Sequence, residues 1–166
     1  MFNAKTIIGI DVGLTGALCI LGDDGSEIIE DLPTMVSSKT AVVKNQLNGQ
    51  ALTELLRPWA GRFKNNSICY IEKQAARPKQ GVASMFSLGH SYGVCIGVCN
   101  GLTIPFKLVS PKSWKNYHKL TSDKQQSLDL AKKLFPSMTD SLKLKKHHNR
   151  AESILIAAYA TAKECE

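Results

Sequence analysis

The stretch "TIIGIDVGLTGALCIL", residues 6–21, decides how the rest of the chain is read. An almost continuous apolar run carries one acid, Asp11, and then breaks at Gly13 and Gly16. Burying an unpaired carboxylate costs several kcal/mol, so an acid in such a run needs a compensating partner. The run reads as two strands, Thr6–Asp11 and Ala17–Leu21, folded back around the glycines. "GDDG" at 22–25 is hairpin chemistry and leads into a third strand, Glu27–Leu32. The three should form an antiparallel meander.

Outward from the meander, 33–47 reads as a polar loop. A helix follows over 48–63, with Asn48 as its cap and Leu52, Leu55, Leu56 and Trp59 on one face; Pro58 should bend or end it. "SICYIEK" (67–73) is a fourth strand, again apolar and again interrupted by one acid, Glu72. A long helix is expected over 82–101. "LTIPFKLV" (102–109) is a fifth strand, which Pro105 assigns to an edge. Ser110 and Pro111 open a short helix. Ser122 and Gln125 stand in capping-box spacing before the next one. The last runs from about His148 to Lys163, with Ala151, Ile154, Leu155, Ala158, Tyr159 and Ala162 as its core stripe. Strands separated by helices require crossovers and parallel pairing. The expected fold is α/β: a mixed five-stranded sheet, three antiparallel then two parallel strands, with helices on both faces.

At 166 residues and 43% hydrophobic, the chain has the size of one domain, spanning 1–166. The N-terminal residues lack the order of a signal peptide. The long uncharged stretch 81–106 contains His90, Asn100 and five glycines, and reads as part of a folded core rather than a membrane span. Four of the five cysteines sit in apolar runs without Cys-x-x-Cys spacing, which suits reduced, buried thiols in a cytoplasmic compartment. The net charge of +7 is concentrated: residues 107–150 hold 11 Lys/Arg against 3 Asp, and the remainder holds 10 against 11 acids. A charge confined to one segment suggests a surface that meets a polyanion; the plainer alternative is a solvated lysine-rich face.

Asp11 and Glu72 fall near the C-terminal ends of their strands. If those strands are neighbours, the two carboxylates converge. The last helix supplies Glu152, with His148 one turn earlier and Asn149 three residues earlier. Oxygen ligands from two strands and a helix make a site for a hard divalent cation, Mg²⁺ or Mn²⁺. Each residue also has a plainer reading. Asp11 would satisfy backbone N–H groups at a turn, Glu72 would pair with Lys73 or Arg77, Glu152 would favour a helix start, and His148 would be an exposed cap. "GIDVGLTGA" also resembles the first phosphate loop of actin-like sugar and acetate kinases, but no second phosphate loop is evident.

Four stretches taken together resemble the RuvC family of Holliday-junction resolvases, in the variety found in phages and prophage regions. They are "GIDVGLTGAL", "IEKQAARPKQGVASMFSLGHSYGV", "PKSWKNYHKLTSDKQQSLDLAKKLFP" and "HHNRAESILIAA". The resemblance implies an RNase H-like fold, a homodimer, and metal-dependent nicking of four-way junctions in DNA recombination and repair. It implies two metal ions per active site, held by Asp11, Glu72, Glu152 and a fourth ligand. At the fourth position many relatives carry an acid, and this chain carries Asn149 with His148 beside it. Lys115 and Lys124 match the family's phosphate-contacting lysines, and both lie in the basic segment.

Arg77 and Lys79, in the loop after Glu72, are expected on the DNA backbone, as are Lys73, Lys112, Lys119, Lys145, Lys146 and Arg150. Relatives often carry an aromatic wedge near this loop; none stands here before Phe86, so a different residue is expected to open the junction core, and Met85 and Phe86 read as part of the apolar face of the 82–101 helix. Gly89, Gly93, Gly97 and Gly101 recur every four residues, which suits helix–helix contact in the monomer or dimer, or tight packing on the sheet. Two other functions share much of this pattern: a branched-DNA-binding module with weak catalysis, and an RNase H-like nuclease acting on RNA–DNA hybrids.

Overall fold

The computed structural model describes residues 6–37, 40, 45–62, 67–76 and 78–165. Strands β1 (Thr6–Asp11), β2 (Ala17–Leu21) and β3 (Glu27–Asp31) form the antiparallel meander. β4 (Thr34–Val36) and β5 (Asn45–Leu47) pair as a separate ribbon inside the expected polar loop. Then come α1 (Gly49–Arg62), β6 (Ser67–Glu72), α2 (Val82–Gly101), β7 (Phe106–Val109), α3 (Pro111–Tyr117), α4 (Lys124–Leu134) and α5 (His148–Cys165). Short 3-10 turns at Pro136–Leu142 and Lys145–His147 join the last two helices. The main sheet has the order β3-β2-β1-β6-β7, with β6 parallel to β1 and β7 parallel to β6. The mixed α/β architecture expected from the sequence is therefore the one observed.

Strand alternation divides the core in two. Ile7, Cys19, Ile68 and Tyr70 pack with Ile154 and Leu155 of α5 on one face. Ile8, Ile10, Leu18, Ile20, Cys69 and Ile71 pack with Leu52, Leu56, Cys95 and Cys99 on the other. The period of two carries Asp11 and Glu72 onto the α5 face. Gly9 occupies the crossing of β1 and α5, where a Cβ would lie 2.5 Å from the Ser153 carbonyl oxygen and 2.6 Å from the Ala157 nitrogen. Gly16 lets the turn close against the strand end; a Cβ there would lie 2.2 Å from the Asp11 carbonyl oxygen.

Several local expectations are corrected. Pro58 lies inside α1 without ending it. Pro58 and Glu54, whose carbonyl loses its helical donor, are both exposed, so water can replace the missing hydrogen bond. The cap of α4 is Asp123, whose carboxylate accepts from the Gln125 N–H at 2.9 Å, and not Ser122. A negative side chain at this end also suits the helix dipole. The buried set of α5 is Ala151, Ser153, Ile154, Leu155, Ile156, Ala157 and Ala160. That is wider than the expected stripe because both the sheet and α4 cover this helix.

Among the described residues α2 is the one helix long and apolar enough to cross a membrane. It buries Ser91, Cys95 and Cys99 against the sheet. A Cβ built at Gly89, Gly93, Gly97 or Gly101 meets nothing within 4 Å. Among the described residues, neither packing on the sheet nor contact with another element explains these glycines, which are exposed.

Candidate metal and DNA-binding site

The parallel register sets Ile10 beside Ile71, so Asp11 and Glu72 end adjacent strands side by side. Asp11 is 7% exposed, and among the described residues no donor hydrogen-bonds its carboxylate. Burial and the charges of Glu72 and Glu152 push its pKa well above the usual carboxylate range, against the pull of Lys115 and Lys124. Glu72 is also raised, by burial first, although the indole N–H of Trp114 reaches its Oε1 at 3.0 Å and the Gln74 amide reaches its Oε2 at 3.0 Å.

The start of α5 completes the cluster. Lys115 Nζ lies 3.1 Å from Glu152 Oε1. Lys124 Nζ lies 2.8 Å from His148 Nε2, and His148 Nδ1 lies 3.2 Å from the Lys145 carbonyl oxygen. An ammonium can only donate, so Nε2 accepts. Nδ1 is then placed to donate to the Lys145 carbonyl, which orients the ring with Nε2 toward Lys124. The Asn149 amide is turned elsewhere: its Nδ2 donates to the Thr15 carbonyl at 2.6 Å and to Thr15 Oγ1 at 3.0 Å, tying α5 to the β1–β2 turn.

Three carboxylates and an imidazole nitrogen are donor types that suit a hard divalent cation tolerating one nitrogen ligand. Among the described residues no three such side chains stand in an assembled cage. Two ammonium groups instead occupy the positive positions, Lys115 on Glu152 and Lys124 on His148. The donor types fit a hard divalent cation, and in this structure Glu152 and His148 are each engaged by a lysine.

Of the expected DNA contacts, Lys73, Lys79, Lys112, Lys119, Lys145 and Lys146 are exposed. Arg77 lies outside the described residues. Arg150 has a different role: its Nε and Nη2 each bond Asp31 at 2.7 Å, and Nη1 reaches the Ser141 carbonyl at 3.2 Å. The guanidinium holds the Asp31 carboxyl below its usual range and locks α5 to β3. Sequence reasoning missed Trp114 and Gln74, the two donors on Glu72. It also reads Phe86 as part of the apolar face of α2; that ring is 79% exposed in the second turn of the helix.

No protein-family model matches the chain. Over 93 residues, 55% of this chain, it is 32% identical to the chloroplastic Holliday junction resolvase MOC1 of Chlamydomonas reinhardtii. That match spans only 10% of the relative's length. Thermus thermophilus RuvC, in complex with a Holliday junction substrate, superposes with a TM-score of 0.60 at 14% identity, covering 97% of this chain and 96% of that one. The yeast mitochondrial Holliday junction resolvase Ydc2 superposes with a TM-score of 0.54 at 16% identity, covering 98% of this chain and 80% of that one. This chain has the RNase H-like fold of the RuvC resolvases.

Proposed function

We propose that this protein is a metal-dependent, structure-selective endonuclease that nicks four-way and related branched DNA as a homodimer. The observation that supports the reading is that Asp11 lies near enough to Glu72 and Glu152 to feel their charges, with Lys115 bonded to Glu152 and Lys124 to His148. Buried acids crowded together are unfavourable without a cation, and lysines beside them suit a phosphate substrate.

Asp11, the most buried of these acids, would hold divalent ions, Mg²⁺ or Mn²⁺, together with Glu72, Glu152 and His148. When bound, such ions lower the pKa of an attacking water and neutralise charge on the leaving 3′ oxygen. Lys115 and Lys124 would leave their present partners for the scissile phosphate and fix its orientation. Phe86, exposed beyond the loop that follows Glu72, would unstack bases at the crossover. The exposed lysines of 107–150, with Lys73 and Lys79, would follow the DNA backbone. The buried free thiols Cys19, Cys69, Cys95 and Cys99 support a reducing, cytoplasmic setting.

Cutting opposite strands symmetrically requires two sites related by a two-fold axis. The open glycine face of α2 supports that helix as the dimer contact. Interior helix glycines each cost roughly 0.5–1 kcal/mol relative to alanine, and among the described residues no close packing at these positions offsets this. Gly93→Leu is expected to leave the fold intact and weaken the dimer about 10–100-fold, or ~1–3 kcal/mol, by overpacking the contact. Light scattering across a dilution series reads this; a dimer of unchanged affinity would remove α2 from the interface.

The deciding experiment is cleavage of a labelled immobile four-way junction, beside linear duplex and RNA–DNA hybrid, in Mg²⁺, Mn²⁺ and EDTA. Paired nicks on the junction, absent in EDTA, are expected. Cutting of the hybrid alone would move the substrate to RNA, and junction binding without cleavage in either metal would leave a binding module. If about six phosphates are contacted, junction affinity should fall ~1000-fold between about 50 and about 200 mM salt. A flat titration would remove the basic segment from the interface.

A further inference from the structure

Trp114 is fully buried, and an indole there is most simply core filling. Its surroundings require more. The N–H edge donates to Glu72 Oε1 at 3.0 Å, while the ring face lies 5.0 Å from Lys115 Nζ. That ammonium is the one bonded to Glu152 Oε1. One rigid side chain on α3 thus touches an acid from β6 by hydrogen bond and steers an acid from α5 through the neighbouring lysine. Gln74 donates to the other Glu72 oxygen at 3.0 Å, so the carboxylate is held at both atoms and cannot rotate freely.

We propose that Trp114 is the positioning residue of the metal site. It orients Glu72 for the cation through its indole N–H and holds the Lys115 ammonium over its face until phosphate replaces Glu152 as that lysine's partner. The proposal rests on the metal-centre reading above. A hydrogen-bonded carboxylate keeps its remaining lone pairs in a fixed direction, so the ion meets a preset ligand instead of a mobile one. Groups in this role typically change metal affinity about 10–100-fold when lost. Phenylalanine keeps an aromatic ring in the core cluster and deletes the donor, with some loss of packing because the ring is smaller.

The test is Mn²⁺ binding by calorimetry, without DNA, on the wild-type protein and on Trp114→Phe. Circular dichroism and thermal melting of both report folding. The expected result is Mn²⁺ binding by the wild type and about tenfold or greater weakening in a folded W114F. A folded W114F that binds Mn²⁺ as tightly as wild type would overturn the positioning role and leave the metal centre standing. Failure of the wild type itself to bind Mn²⁺ would overturn the metal centre, and this inference with it.

A second measurement does not depend on W114F folding. The chain has two tryptophans, Trp59 and Trp114. In Trp59→Phe, emission comes from Trp114 alone. It should be quenched by the paramagnetic ion along the calorimetric binding curve. Unmoved emission during calorimetrically visible binding would place the ion away from Glu72 and overturn the proposal.

Discussion

Asp11→Asn is expected to lower junction cleavage by about a thousandfold or more, equivalent to ~4 kcal/mol of lost transition-state stabilisation, while making the metal-free protein more resistant to heat. Both effects have one cause. Asp11 is buried among Glu72 and Glu152 and has no hydrogen-bond donor among the described residues, so its charged form is disfavoured in the fold. Its folded pKa lies above the unfolded value of about 4. Between those values the folded state binds more protons than the unfolded state, so stability is greatest at low pH and falls as pH rises through the folded pKa. Asparagine has the same shape and no charge to lose. In EDTA, the melting temperature of the variant should match wild type near pH 4 and exceed it increasingly toward pH 8. A variant that melts below wild type at pH 8 would mean that Asp11 is paired in the absence of metal, contrary to its role as a ligand awaiting a cation.

The largest stability effect is expected at Gly9. A Cβ there would press on the backbone of Ser153 and Ala157, and no side-chain rotation can relieve a backbone contact. Gly9→Ala should cost about 3 kcal/mol, the upper end of ordinary overpacking, read as a lower urea midpoint with unchanged slope. Activity should fall further than stability predicts. Gly9 lies two residues from Asp11, and Ser153 follows Glu152 directly, so lifting α5 off β1 separates the two acids. A displacement near 1 Å at a catalytic site can cost about a hundredfold in rate. A folded Gly9→Ala with wild-type cleavage would show that α5 depth does not set the site.

The strands that place Asp11 and Glu72 were legible because an acid inside a buried run is a strong local anomaly, and the βββαβαβ order brings those strands together. The basic segment was legible from charge alone. Other features depended on contacts that no local pattern encodes. Trp114 lies 42 positions from Glu72 and meets it only because β7 delivers α3 above the end of β6. In sequence it is simply an apolar residue in a short helix. Arg150 read as one more basic residue until Asp31, 119 positions away, proved to be its partner. The wide buried face of α5 escaped the 3.6-residue pattern because Ser153 and Ala157 serve it as small residues under close packing, where size matters more than hydropathy. Conversely, the glycines of α2 were read as possible packing points, and only the empty space around them distinguished an open face from a buried one.

The bridge from Lys115 to Glu152 has a thermodynamic consequence. On the proposed reading this lysine would compete with a divalent ion for the same carboxylate. A DNA phosphate that drew the ammonium away would leave Glu152 available, so nucleic acid and ion would each favour binding of the other. Such linkage is reciprocal: whatever factor DNA contributes to ion affinity, the ion must contribute to DNA affinity. If the proposed site is correct, such a protein would hold its ion most firmly with a substrate strand in place and less firmly once the product leaves.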